Sequence, residues 1–348
     1  MSDDGTQTSA GSQATLAEPG EASAGRLSGL MGTSFGRNLG LVVALIILCI
    51  VGVATAGSSF ASTDNALTIL RLASTIGVVS IGMTFVITGG GIDLSVGAIA
   101  ALASVWATTL ATQTMAEDVH WSIIVLTAVA VGVGCGVING VLIAYGNIVP
   151  FIATLAMLAG ARGLAELIAE RRTQIVTVTE FKDVLGASVV GIPVLVIIFV
   201  LVSAIGWIVL NRTTFGRRTF AVGGNPEAAR LAGINVRRHT VMLYVVVGLC
   251  CGIAAVMITV RTGTGSSTHG LLWELDAIAA VVIGGTLLTG GRGTITGTVL
   301  GVLIFTTLSN VFTQNNLSSS AQSVAKGLII VVAVLLQQRL ARSSNTTG

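Results

Sequence analysis

Few side chains in this sequence can do chemistry, and they are unevenly placed. Asp93 follows three glycines, Gly89 to Gly91, and precedes Ser95. A carboxylate so placed can cap the helix that follows, meet the hydroxyls of a polar solute, or hold a coupling ion. Capping is the favoured local role, and lining a solute route is compatible with it. Asn139, Trp273, Glu274 and Asp276 add an amide, an aromatic face and two acids beside apolar runs. An aromatic and an acid there could meet a sugar, although Trp273 suits an interfacial anchor better. Arg162 and Glu166 are four residues apart, on one helix face, which predicts mutual neutralisation. Arg71 and Lys326 lie near enough to the ends of runs to snorkel to headgroups. Ser267 and His269 share a loop, but that spacing makes no nucleophile–base pair. No enzyme is expected, with no catalytic residues, metal ligands or resident cofactor.

These residues must be positioned by apolar elements. Of 348 residues, 53% are hydrophobic and only 9% charged, with a mean hydropathy of +0.90. Soluble proteins carry about 25% charged residues, so the expected fold class is an all-α polytopic membrane protein. The 44 glycines fit close helix packing. A net charge of only +3, unevenly spread, argues against nucleic acid as a partner. Cys49, Cys135, Cys250 and Cys251 sit in apolar runs and read as packing residues without disulfide or metal.

Runs near the bilayer length of about 20 residues cover 39–57, 66–87, 94–111, 121–145, 148–168, 193–211, 240–261, 271–288, 294–313 and 321–338. They predict about ten transmembrane helices. Arg212, Arg217, Arg218, Arg230, Arg237 and Arg238 crowd the interval 212–239, Arg26 and Arg37 precede the first run, and Arg339 and Arg342 follow the last. The positive-inside rule places all three regions in the cytoplasm, and an even number of spans agrees. Arg171, Arg172 and Lys182 in the 169–192 loop dissent mildly. Residues 1–37 have few large apolar side chains and read as a disordered cytoplasmic tail. A membrane domain over 38–340 follows, then a short tail over 341–348. Gly132, Gly136 and Gly140, like Gly293, Gly297 and Gly301, repeat every four residues and predict smooth helix faces packed within the chain. Thr88-Gly89-Gly90 echoes Thr289-Gly290-Gly291, a match short enough to carry little weight alone.

The interval 212–239 contains a short helix marked at both ends. Asn225 suits the N-cap, Pro226 the first turn, Glu227 the positive end of the dipole and Gly233 the C-terminal stop. At about two turns it is too short to persist unless docked.

Two segments resemble a known family. Glu227-Ala228-Ala229 with Gly233 resembles the cytoplasmic "EAA" coupling motif of ABC import permeases. Gly89-Gly90-Gly91-Ile92-Asp93-Leu94-Ser95-Val96-Gly97 is similar to the Gly-Gly-Ile-Asp-Leu-Ser-Val-Gly stretch of ribose/xylose/arabinose-type permeases. The resemblance extends over roughly 40–338, although the Ile-x-Leu-Pro that completes the wider coupling motif is absent after Gly233. It implies a bacterial inner-membrane permease subunit for a monosaccharide or related polyol. Its implied partners are a separate ABC ATPase subunit, a sugar-type binding protein, a second permease copy or paralogue, and lipid. Gly223, Gly224, Asn225, Pro226, Glu227, Ala228, Ala229 and Gly233 would couple to the ATPase. Asp93, Ser95, Asn139, Trp273 and Glu274 are the candidates for the translocation path. No GxxxxGK[ST] phosphate loop is present, so ATP would be bound by the partner. An ion- or proton-coupled secondary transporter using Asp93 is the alternative.

Overall fold

Apolar runs become helices in a bilayer because a helix satisfies every backbone group within its own segment. The computed structural model describes residues 34–345, so the tail expected over 1–37 falls outside the described residues up to residue 33. The first half of the chain forms α1 (Ser34–Phe60), α2 (Thr63–Thr88), α3 (Val96–Ala107), α4 (Leu110–Asp118), α5 (Ser122–Ala144) and α6 (Pro150–Ile168). A folded connection follows, with β1 (Gln174–Ile175), α7 (Thr179–Gly186), β2 (Ser188–Val189) and β3 (Ile192–Pro193). The second half forms α8 (Val194–Arg212), α9 (Thr214–Gly224), α10 (Pro226–Leu231), α11 (Val236–Thr262) and β4 (Thr264–Gly265). It ends with α12 (Trp273–Ile283), α13 (Ile295–Gln314) and α14 (Ser319–Asn345).

Seven helices among the described residues, α1, α2, α5, α6, α8, α11 and α13, are long and apolar enough to cross a membrane. The pair α3 and α4, bent by 57°, makes an eighth candidate. The all-α polytopic class therefore stands, but the ten expected spans are not ten unbroken helices. The run 94–111 breaks after Ala107, where the Thr109 hydroxyl accepts from the Thr112 amide and starts a new helix. The run 271–288 is helical only over Trp273–Ile283. Gly285 ends it at φ 87°, and the Thr286 amide donates back to the Val281 carbonyl at 3.2 Å. That is a Schellman-type stop, which glycine's tolerance of positive φ permits. The last helix runs through Asn345, past the expected boundary at residue 340.

α11 forms the centre, packed on α5, α2 and α3. Lipid is as apolar as leucine, so close van der Waals contact must hold such helices together. A Cβ on Gly140 would lie 2.7 Å from the Val241 Cα, and one on Gly252 would lie 2.7 Å from the Ala128 carbonyl oxygen. The four-residue glycine series thus builds a seam inside the chain. Gly297 and Gly301 press in the same way on Gly284 and Ala280 of α12. Tyr244, Phe85, Met83 and Ile99 fill the core between these seams.

Polar side chains bind α2 to α13. The Asn65 and Asn310 amides exchange hydrogen bonds of 3.1 and 2.8 Å, and Gln314 donates to Asn65 at 3.0 Å. The Thr84 and Thr298 hydroxyls meet at 2.8 Å further along. Each such interhelical bond is worth about 1 kcal/mol in a membrane. Cys135, Cys250 and Cys251 are buried as expected of packing residues, but Cys49 is exposed on α1. The reason is that α1 lies at the periphery and presents Ile46, Ile47 and Ile50 outward. In the 169–192 connection, β1 pairs with β4 and β2 with β3, both antiparallel, while Phe181 of α7 is fully buried.

Candidate functional site

The glycines before Asp93 end α2 and turn the chain. The Gly91 amide donates to the Val86 carbonyl at 2.9 Å, and Gly90 adopts φ 84°. One Asp93 oxygen then accepts from the Ser95 amide at 2.8 Å and from the Ser95 hydroxyl at 2.5 Å. Asn139 on α5 donates to the same hydroxyl at 2.9 Å. All three side chains are completely buried. Ser95, not Asp93, holds the N-cap position of α3, and it makes no side-chain cap bond. Asp93 therefore closes the turn that precedes the helix. Tyr244 of α11 supports this turn by donating to the Ile92 carbonyl at 3.1 Å. The other Asp93 oxygen and the Asn139 amide oxygen have no hydrogen-bond partner among the described residues.

Trp273 and Glu274 lie on another element, at the start of α12, and Glu274 approaches α3 near Gly97. The connection 263–272 reaches that point by running along α3. A Cβ on Gly270, at φ 68°, would lie 2.9 Å from the Gly97 Cα, so both backbones need glycine there. Arg162 fixes this connection by donating to the carbonyls of Ser267 and His269, the latter at 2.8 Å. The expected Arg162–Glu166 pair is overturned, because Glu166 pairs instead with Arg171 at 3.2 Å. A guanidinium can satisfy two converging carbonyls at once, a demand the sequence does not display.

Ser104 holds the same connection through the His269 Nδ1 at 3.2 Å. Burial first, then Arg261 and Arg162, push the His269 pKa down to about 4. A free histidine titrates near 6.5, so between those values the unfolded chain binds the extra proton. Stability should therefore fall as pH drops from about 6.5 toward 4. Thermal unfolding of the purified protein across that window checks this. His269→Asn should reduce the slope, and an unchanged slope would exonerate His269.

The coupling segment folds as its end signals require. The Asn225 side chain accepts from the Ala228 amide at 3.0 Å, Pro226 opens α10, and Gly233 takes φ 83° after it. Glu227 pairs with Arg230 at 2.9 Å on the exposed face, Ala229 faces inward, and Leu231 is 82% exposed. An additional helix, α9, delivers this segment to the bundle. At its end, Gly223 sits between two turns. The Gly291 amide donates to the Thr88 carbonyl at 2.8 Å, and a Cβ on Gly223 would collide with that carbonyl and lie 2.7 Å from the Gly291 nitrogen. A Cβ on Gly290 would lie 2.7 Å from the Gly223 oxygen and 2.9 Å from the Gly90 Cα. The two Thr-Gly-Gly echoes thus meet in space, against the segment that carries α10.

Lys326 does not snorkel. Its ammonium lies 3.3 Å from both Asp276 oxygens and 5.0 Å above the Phe305 ring, so a neutralising partner within the bundle outcompetes the headgroups. Arg71 stays half-buried on α2. Sequence reasoning missed the Arg162 clamp, the Tyr244 support and the glycine junction. Only the repeated Thr-Gly-Gly offered a signal for the last.

Residues 65–335 match the family model described as branched-chain amino acid transport system / permease component. The ribose import permease protein RbsC of Bacillus subtilis (strain 168) is 43% identical over 87% of this chain and 93% of that protein. RbsC of Escherichia coli (strain K12) is 35% identical over 86% and 92% of the two chains. The D-allose transport system permease protein AlsC of the same strain is 34% identical over 81% and 86%. No solved structure matches the chain.

Proposed function

The chain belongs to the branched-chain amino acid transport system / permease component family, and we infer from that membership how its geometry is used. It is a multi-pass inner-membrane permease subunit of an ABC importer for sugars. The carrying observation is the 43% identity to a ribose permease over 87% of the chain. The family description mentions amino acids, but the similar proteins above are ribose and allose permeases.

The finer reading gives ATP hydrolysis to a separate ABC ATPase subunit and delivery to a sugar-type binding protein. A second permease copy or paralogue completes the pore, and lipid surrounds it. Ten crossings are obtained by adding the bent α3–α4 pair, α12 with its extended flanks, and α14 to the seven long helices. Both termini are then cytoplasmic. In support, the turns at Thr88, Gly223 and Gly291 gather at one end, while the β1–β4 ladder joins two connections that this topology puts outside.

In this reading α10 docks on the ATPase through Glu227, Arg230 and the exposed Leu231. Closure of the ATPase moves Gly223, and the junction passes that displacement to the two interrupted crossings that start at Gly89 and end at Gly291. Interruptions of this kind are where transporters place their solute path. Asp93, Ser95 and Asn139 hold one break in shape, and Trp273 and Glu274 begin the helical half of the other. A gradient-driven transporter centred on Asp93 has less support, because that carboxylate is enclosed and engaged by Ser95.

Affinity purification of the chain from its native membrane, with identification of what accompanies it, tests this reading. A phosphate-loop ATPase and a sugar-binding protein should co-purify, and the assembly should couple ATP hydrolysis to sugar uptake. Glu227→Arg should lower uptake about tenfold by placing like charges at the docking face, with the fold intact. Unchanged uptake in that variant would remove α10 from the coupling role.

A further inference from the structure

Five helices border a half-open cavity of about 160 Å³ away from the Asp93 cluster, where polar side chains stand beside Leu72 and Ile76. α2 contributes Thr75, α11 Arg261, α12 Trp273 and Asp276, α13 Ser309, and α14 Lys326. Ionisable side chains among membrane helices are costly and face a path or a partner, yet three converge here. Lys326 neutralises Asp276 at 3.3 Å but leaves the carboxylate lone pairs for other donors. Arg261 has no hydrogen bond or ion pair among the described residues, so its guanidinium donors remain to be used. The Ser309 hydroxyl donates to the Phe305 carbonyl at 3.0 Å, which turns its oxygen into an acceptor for the cavity. Trp273, half-buried, supplies an aromatic wall.

We propose that this cavity is a solute subsite on the translocation path and that it takes a neutral polyhydroxylated molecule of monosaccharide size. Two cations against one carboxylate repel a metal ion, and the sugar-importer reading selects a neutral solute over an anion. Alternating donors and acceptors match a row of hydroxyls, and the indole face matches the C–H face of a sugar ring. The volume lies below the roughly 300–1,000 Å³ of drug-sized pockets, which excludes an oligosaccharide. The larger cavity nearby, about 290 Å³, is lined by Val125, Leu126, Ile253 and Met257 and lacks this chemistry.

The proposal rests on the sugar-importer reading, and the test separates the two. The complete transporter, reconstituted with its ATPase and binding protein, is compared with two variants. One is Trp273→Ala. The other is the exchange Asp276→Lys with Lys326→Asp, which keeps an ion pair between α12 and α14. Both should lower sugar uptake about tenfold, the loss expected for hydrogen bonds to charged groups. Co-purification of the ATPase and the binding protein with each variant should match wild type. Wild-type uptake in the exchanged variant would reduce the pair to a structural latch and overturn the proposal. A second measurement covers variants that fail to assemble. Ser309→Cys, in a Cys49→Ser background, should react with a membrane-impermeant maleimide, and a saturating monosaccharide with its binding protein should slow that reaction. An equal rate with and without sugar, or protection by phospholipid headgroup alone, would also overturn it. Absence of ATP-driven sugar uptake by the wild-type assembly would instead refute the importer reading.

Discussion

Gly223→Val should reduce ATP-driven uptake at least about tenfold while the chain still inserts and binds its partners. Overpacking a well-filled site costs about 1–3 kcal/mol when side chains can yield. At Gly223 the obstacles are the Thr88 carbonyl and the Gly291 amide, backbone groups already hydrogen-bonded to each other at 2.8 Å. The three turns must separate, and α10 would lose its grip on both interrupted crossings. Gly224 provides the control, since a Cβ there meets nothing within 4 Å. Gly224→Ala should therefore transport normally. Equal loss in both variants would mean that helix propensity, not the junction, is responsible.

Asp93→Ala should also lower uptake severely, with a measurable fall in thermal stability. It strips the acceptor from the Ser95 amide and hydroxyl in a fully buried site. Each unsatisfied buried group costs about 1–3 kcal/mol, and the turn that starts α3 would lose its closure. Asp93→Asn keeps one acceptor oxygen for both bonds. Because the observed bonds all run to one Asp93 oxygen, Asn should retain most of the uptake. Loss in both variants would show that the negative charge itself is required. Full transport by Asp93→Ala would remove Asp93 from the transport mechanism.

The coupling helix was legible because its signals are local. An N-cap, a proline and a terminal glycine act within a few residues, so Asn225, Pro226 and Gly233 could be read without knowing their neighbours. The long apolar runs were equally plain. The two interrupted crossings were not, because an average over 20 residues hides a break that depends on one threonine or one glycine pair. Thr109 and Gly285 are such positions. Charge pairing was misread for a similar reason. Spacing along one helix suggested Glu166 for Arg162, whereas the true partners are carbonyls more than 100 residues away. Lys326 likewise finds Asp276 only after α12 and α14 meet.

Helices α2 and α13 are fastened at three levels, by Asn65 and Asn310, by Thr84 and Thr298, and by the Thr88 carbonyl and Gly291 amide. Two rods pinned at both ends and in the middle cannot slide or splay. They form a stator. Motion within a transport cycle must then be confined to what leans on that stator, chiefly the bend between α3 and α4. A cross-link from α2 to α13 should thus be silent, whereas one bridging α3 to the 263–272 connection should arrest the cycle.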